Sequence, residues 1–255
     1  MTSVLPSTPV LPKSPIDRRH APEAEAGLDR GYERFRPCLR WEFSFVCPFC
    51  LLHEAQLSPT GAAGSAQFWI EHLEPQAARP DLRNTYANVV YACRRCNLAR
   101  HQRARIDDRG RRLLDPCADI WSAHFGYEQD ELVPLGPDAQ YTATAYDINS
   151  PPKVALRRDR REAIEESLYV LATVPALLEE VMTGVAFLTG RDRGLRLDIA
   201  ERLHKDLAAA RRTLVQLSAV PADADDTCAC AAGACALAEH VTATLLEVDF
   251  GAGRH

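Results

Sequence analysis

The sequence predicts an α+β protein: a small strand, long loop, strand, helix region followed by a mainly α-helical C-terminal region. Three observations carry this. Two short runs, "FWIEHL" (68–73) and "NVVYAC" (88–93), are rich in aromatic and β-branched residues. Two Cys-x-x-Cys pairs bracket them. Beyond about residue 153 apolar residues recur at i, i+3, i+4 and i+7.

Taken in order, residues 1–26 are rich in Pro, Ser and Thr without a hydrophobic period, and read as a disordered or extended arm. Residues 27–125 hold the cysteine pairs, the two strands and "RCNLARHQRARIDD" (95–108). That last segment has no Gly or Pro and reads as one helix. Residues 126–158 contain several Gly and Pro and read as a connecting segment with short strands, with "AQYTATAYDI" (139–148) as a candidate strand. Residues 159–255 read as a helical C-terminal region. There Leu195, Ile199, Leu203, Leu207, Leu214 and Leu217 form most of one stripe. Cys228, Cys230 and Cys235 lie in an Ala-rich loop before a short helix expected at 237–246.

Composition narrows the function classes. The 255 residues carry a formal net charge of −5, which argues against a chain that is basic throughout. Basic residues nevertheless cluster: between Arg79 and Arg112 ten arginines face three aspartates, a local excess of seven. There is no secretory h-region, and no stretch approaches the ~20 apolar residues needed to span a bilayer. The expectation is a cytoplasmic protein with no membrane association. In a reducing compartment, nine cysteines suggest metal binding more than disulfides.

Cys47-Pro48-Phe49-Cys50 and Cys93-Arg94-Arg95-Cys96 have the spacing that lets two thiolates meet one tetrahedral ion at about 2.3 Å. Two pairs complete a four-sulfur shell with no open position, so the zinc they imply is structural. A thioredoxin-like redox motif needs only one such pair. Between the pairs lies Glu71-His72, followed by Asn88 and by Asn97 directly after Cys96.

The arrangement "EHLEP … NVVYACRRCNLAR" resembles the HNH endonuclease family over about residues 45–105. That family has a ββα-metal core with a Cys-x-x-Cys pair on each side. The Glu-His-x-x-Pro form is similar to a bacterial group that includes the nuclease components of Septu-type phage-defence systems. "LLDPC" (113–117) and "YTATAYDINSPPKVALRR" (141–158) resemble that group more faintly. The resemblance implies a phosphodiester hydrolase. In it His72 activates water, Glu71 and Asn97 hold a divalent ion, and Asn88 orients the catalytic loop. Glu71 stands where Asp or His is commoner, and Asn97 where His is commoner. An oxygen-only site is hard, which favours magnesium or manganese.

Arg94, Arg95, Arg100, His101 and Arg103 are the candidate nucleic-acid contacts. Arg100, three residues after Asn97, is the first candidate for stabilising the phosphate. DNA is the expected substrate, with RNA also open. No P-loop is present, so a nucleotide-driven step would need an ATPase partner. The competing reading is a zinc-containing module that binds nucleic acid without cutting it. Because adjacent strand residues point to opposite faces, Glu71 and His72 are expected to share a site only if their strand ends and bends there.

Overall fold

The computed structural model describes residues 11–18, 31–57, 67–101, 103–185 and 187–218. These form two compact units, residues up to 157 and residues from 158. Cys228, Cys230, Cys235 and the helix expected at 237–246 lie outside the described residues.

The first unit is built on a two-stranded antiparallel sheet. Strand β1 (Phe68–His72) pairs with β2 (Val89–Cys93) in the register Phe68↔Cys93 to His72↔Val89. All five residues of β2 are buried, so that strand is covered on both faces. Phe68 stacks on Tyr91 with ring centroids 4.8 Å apart. Before the sheet, α1 (Arg36–Glu42) carries a proline in its first turn, where a missing N–H costs nothing. Its buried Arg40 makes a two-point ion pair with Glu54 at 3.0 and 2.8 Å.

Directly after β2, α2 (Arg94–Arg100) starts on Cys93, whose sulfur accepts from the Cys96 N–H. The helix expected over 95–108 stops here. His101 takes a φ of +50°, a region that side-chain-bearing residues rarely occupy. The residues beyond are drawn into a bridge between Ile106 and Arg112 and a turn organised by Asp107. Nothing in the local composition announces this stop.

A short α3 (Trp121–His124) leads into the hairpin β3 (Phe125–Glu128) and β4 (Glu131–Pro134). Gln129 and Asp130 between them both have positive φ, which gives the twist that a two-residue hairpin needs. The segment 139–148, expected as a strand, is instead largely helical: α4 is Pro137–Ala145. Pro137 opens it, Asp138 sits in its first turn, and Ala139, Tyr141, Thr142 and Ala145 are buried. Aromatic and Thr residues suit a strand, but burial of these four positions favours the helix here.

One hydrophobic core runs through this unit, from Phe35 on the α1 side through both cysteine pairs to Tyr146 and Ile148. Helix α5 (Pro151–Val185) begins in this unit and continues into the next. The second unit consists of the rest of α5 and α6 (Gly190–Ser218). Among the described residues, helix α5 is long and apolar enough, by length and composition, to cross a membrane, and its apolar stretch is largely exposed. That modifies the expectation that no stretch comes near that length. The helix also holds Pro175, Glu179 and Glu180, and length and composition alone do not place it in a bilayer.

Candidate metal centre and cleft

The sulfur atoms of Cys47, Cys50, Cys93 and Cys96 all lie within 4.8 Å of one another, and all four residues are buried. Cys50 and Cys93 sulfurs are 3.6 Å apart. A tetrahedral zinc with bonds of about 2.3 Å sets its sulfurs roughly 3.8 Å apart, so the cluster fits zinc. Four thiols this close compete for protons. Burial pushes the Cys96 thiol up. Contacts with Cys47 and Cys50 push Cys93 up. For Cys50, burial is outweighed by the contacts with the other three, and its thiol falls well below the ordinary range.

A buried ammonium stands beside this cluster. Lys153, in the first turn of α5, donates to the carbonyls of Tyr146 and Asp147 at 2.7 and 2.8 Å. Burial would lower its pKa, but the thiolates outweigh that and hold it raised. Four residues on, Arg157 donates to the carbonyls of Cys50, Ile148 and Asp130 and to Asn149. The start of α5 thus ties the first cysteine pair to the β3–β4 hairpin. Lys153 and Arg157 lie in the segment 141–158, whose family resemblance is faint and assigns neither a role; their further signal is that they are cationic positions opening an otherwise amphipathic helix. Outer-shell groups of this kind tune a metal site by about 10- to 100-fold. Lys153→Met is expected to release zinc to a competing chelator at a correspondingly lower chelator concentration. Release at the wild-type concentration would show that the charge is irrelevant to the site.

Next to the cysteine cluster, an open cleft of about 800 Å³ runs along β1. It is lined by every residue of β1, together with Tyr32, Gln76, Asn97 and His101 among others. Glu71 and His72 meet in one cleft where the strand ends: His72, paired with Val89, is the last residue of β1, and the chain bends at Leu73 and Glu74, as the sequence expectation requires. The edge of β1 away from β2 pairs with no strand among the described residues. An edge is where both faces of a strand are accessible, so alternation is no obstacle.

Helix α2 lies against that edge. Asn97 Nδ2 donates to the Ile70 carbonyl at 3.4 Å and to Glu71 Oε2 at 2.7 Å. Arg100 donates to Glu71 Oε1 at 2.6 Å, to the Leu73 carbonyl at 2.6 Å, and to the His72 carbonyl. Tyr146 approaches Glu71 Oε1 at 3.5 Å from 75 residues away. Burial pushes the Glu71 carboxyl up to about 7, against the Arg100 charge and hydrogen bond, which pull it down.

Arg100, expected at the phosphate, lines the cleft but is only 1% exposed, and its terminal nitrogens bond Glu71 and the end of β1. The basic surface shrinks further. Arg79, Arg105, Arg111 and Arg112 are all ion-paired to aspartates, Arg105 also to Glu74. Arg94, Arg95, His101 and Arg103 stay exposed. Arg103 has left the helix and reaches the Thr144 carbonyl at 3.3 Å.

His72 is held at both ring nitrogens. Nε2 faces the Arg83 carbonyl at 2.9 Å and so carries the proton; Nδ1 accepts from Gln76 Nε2 at 3.1 Å. The ring edge meets Tyr32 with centroids 4.6 Å apart. Burial lowers the His72 pKa, and the Arg100 and Arg83 charges act in the same direction, against the Arg83 carbonyl bond. The imidazole is neutral at pH 7.

Asn88 is buried at the far end of the 73–88 loop. Its amide accepts from Glu74 N–H at 2.8 Å and donates to the carbonyls of Glu74 and Leu82, both at 3.2 Å. The Leu82 bond is one residue from the Arg83 carbonyl that sets the His72 tautomer.

Residues 47–103 match the family model described as HNH endonuclease. That span takes in both cysteine pairs, β1, β2, α2 and the cleft residues between. Comparison with curated proteins and with solved structures returns no match.

Proposed function

We propose that the chain is a metal-dependent HNH endonuclease that hydrolyses phosphodiester bonds in DNA. The observation that carries this reading is the meeting of Glu71, His72 and Asn97 in one open cleft, inside the span that matches the HNH model.

In this reading His72 is the general base. Its neutral ring, whose Nε2–H donates to the Arg83 carbonyl, keeps the Nδ1 lone pair for a proton from water, and Gln76 yields that position when water enters. Asn88 holds the loop that presents the Arg83 carbonyl. Glu71 and Asn97 hold the divalent ion, magnesium or manganese by their hardness. The residues fit such an ion. Half a turn of the Asn97 amide sets two oxygens 2.7 Å apart, near the roughly 3 Å between neighbouring ligands of an octahedral ion with bonds of about 2.1 Å. Such an ion supplies charge neutralisation at the phosphate. Arg100 remains on the other Glu71 oxygen and aims the carboxylate. Zinc at the four cysteines fixes the start of α2, and so the place of Asn97. Action with an ATPase partner in anti-phage defence rests on the family resemblance alone.

A second reading, a non-catalytic zinc-containing nucleic-acid-binding module, is favoured by one observation. Both Glu71 oxygens and both His72 nitrogens already have partners within the chain. Plasmid nicking with magnesium or manganese separates the two. His72→Ala is expected to cut about 100- to 10,000-fold more slowly while keeping its zinc and its melting temperature. A folded, zinc-loaded His72→Ala that cuts at the wild-type rate overturns the endonuclease mechanism.

A further inference from the structure

Strand alternation leaves one residue of β1 facing outward. Phe68 and Ile70 are 0% and 7% exposed, whereas Trp69 is 37% exposed. Outward positions on a half-covered sheet are ordinarily polar; here the position holds the largest apolar side chain available. Its cross-strand partner is Ala92, too small to cover the indole. The other two tryptophans, Trp41 and Trp121, are buried.

Trp69 is also not alone. The Arg94 guanidinium lies over its ring, 5.2 Å from the centroid. Arg94 is the first residue of α2, directly after Cys93, so the cysteine cluster fixes its position. Three residues on, Asn97 contacts Glu71. Arg94 and Asn97 share one face of α2, just as Trp69 and Glu71 share one face of β1. Along the strand, Trp69 and Glu71 are roughly 7 Å apart, two residues at about 3.4 Å each. The cleft therefore has Glu71 and His72 at one end and Trp69 at the other, and the Arg94 guanidinium lies over that indole.

We propose that Trp69 and Arg94 form a stacking platform for an unpaired nucleobase. The favoured substrate is then a nucleic acid with unpaired bases next to the phosphate to be cut. This rests on the endonuclease reading for the cutting, but not for the binding. The chemistry is direct. An exposed indole stacks on a base face, and a guanidinium both extends that stack and meets phosphate. In a duplex the base faces are already covered by their neighbours, so an indole can reach one only in a single strand or at an extruded nucleotide. A cleft of about 800 Å³ is of the size that takes a small-molecule ligand, and so a nucleotide.

The test is a binding titration without added divalent ion, so that no cutting is needed. A 12-residue oligothymidylate is expected to quench the intrinsic tryptophan fluorescence, with the quench absent in Trp69→Phe. Trp69→Ala is expected to bind that oligonucleotide about 5- to 150-fold more weakly, and a duplex of the same length within about 2-fold of wild type. Trp69→Phe, which keeps an aromatic face, guards against a folding defect in the alanine variant and should retain most of the affinity. Equal losses on single strand and duplex, an unquenched wild type, or no binding of the oligothymidylate would each overturn the platform. A chain that shows the single-strand-selective quench but, with magnesium or manganese, cuts neither plasmid nor single-stranded DNA upholds the platform and rejects the endonuclease reading instead.

Discussion

Cys93→Ser is expected to lose its zinc and to melt about 10–20 °C below the wild type, by metal analysis and thermal unfolding. The variant isolates the metal. Serine has nearly the shape of cysteine, and it is itself a preferred helix N-cap. The cap on α2 that the Cys93 sulfur now makes to the Cys96 N–H can therefore survive the exchange. What cannot survive is the fourth thiolate. Structural zinc sites carry about 10–16 kcal/mol of apparent binding energy in small peptides, against a typical total stability of 5–15 kcal/mol. Losing even about 5 kcal/mol of it corresponds to the stated shift for a chain of this size. The damage should also travel. The cysteine cluster fixes the start of α2, and α2 delivers Asn97 and Arg100 to the edge of β1. Nicking should therefore fail together with zinc retention. A purified wild type without zinc, or a Cys93→Ser variant that melts normally, would show that the four sulfurs merely pack.

The parts of this fold that were legible in the sequence are those fixed by short-range chemistry. The Cys-x-x-Cys spacing foretold the cluster of Cys47, Cys50, Cys93 and Cys96. Aromatic and β-branched runs foretold β1 and β2. The family resemblance assigns Glu71 and Asn97 to one ion, and in the fold the two side chains lie 2.7 Å apart. What stayed hidden depends on tertiary placement. Composition could not show that α2 stops at Arg100, because the stop comes from what the following residues bond to, with no Gly or Pro to mark it. Helix α4 was misread because Tyr and Thr suggest a strand until their burial on one helix face is seen. Tyr146 at Glu71, Lys153 beside the cysteines and Arg157 on the Cys50 carbonyl all act across long stretches of chain. Arg100 is the sharpest case. An arginine one turn from a candidate ligand in a basic stretch reads as a phosphate contact, and only its burial shows that it serves the protein itself.

Arg100→Met is therefore expected to act on stability first. Its guanidinium serves a carboxylate and two main-chain carbonyls at once, a set that methionine cannot replace and that a lysine ammonium cannot span in the same plane. Removing one partner of a buried ion pair costs about 3–5 kcal/mol, because the other charge is left in a dry site. The pH dependence identifies that charge. Glu71 already titrates at about 7, above its ordinary 4.5, so the folded chain holds this proton more tightly than the unfolded one. The stability gained from protonation is complete below about 4.5 and is lost as pH rises through 7. Arg100 pulls the carboxyl down, so its loss raises the folded pKa further and extends the decline to higher pH. The melting-temperature gap between wild type and Arg100→Met should thus widen from pH 5 to pH 8. Adding Glu71→Gln to the Arg100→Met chain should close much of the gap at pH 8, because the unpaired carboxylate is then gone. A gap that ignores pH, or a double variant no more stable than the single one, would mean that Glu71 is not the group Arg100 holds. A variant that folds like the wild type but binds DNA far more weakly would return Arg100 to the phosphate.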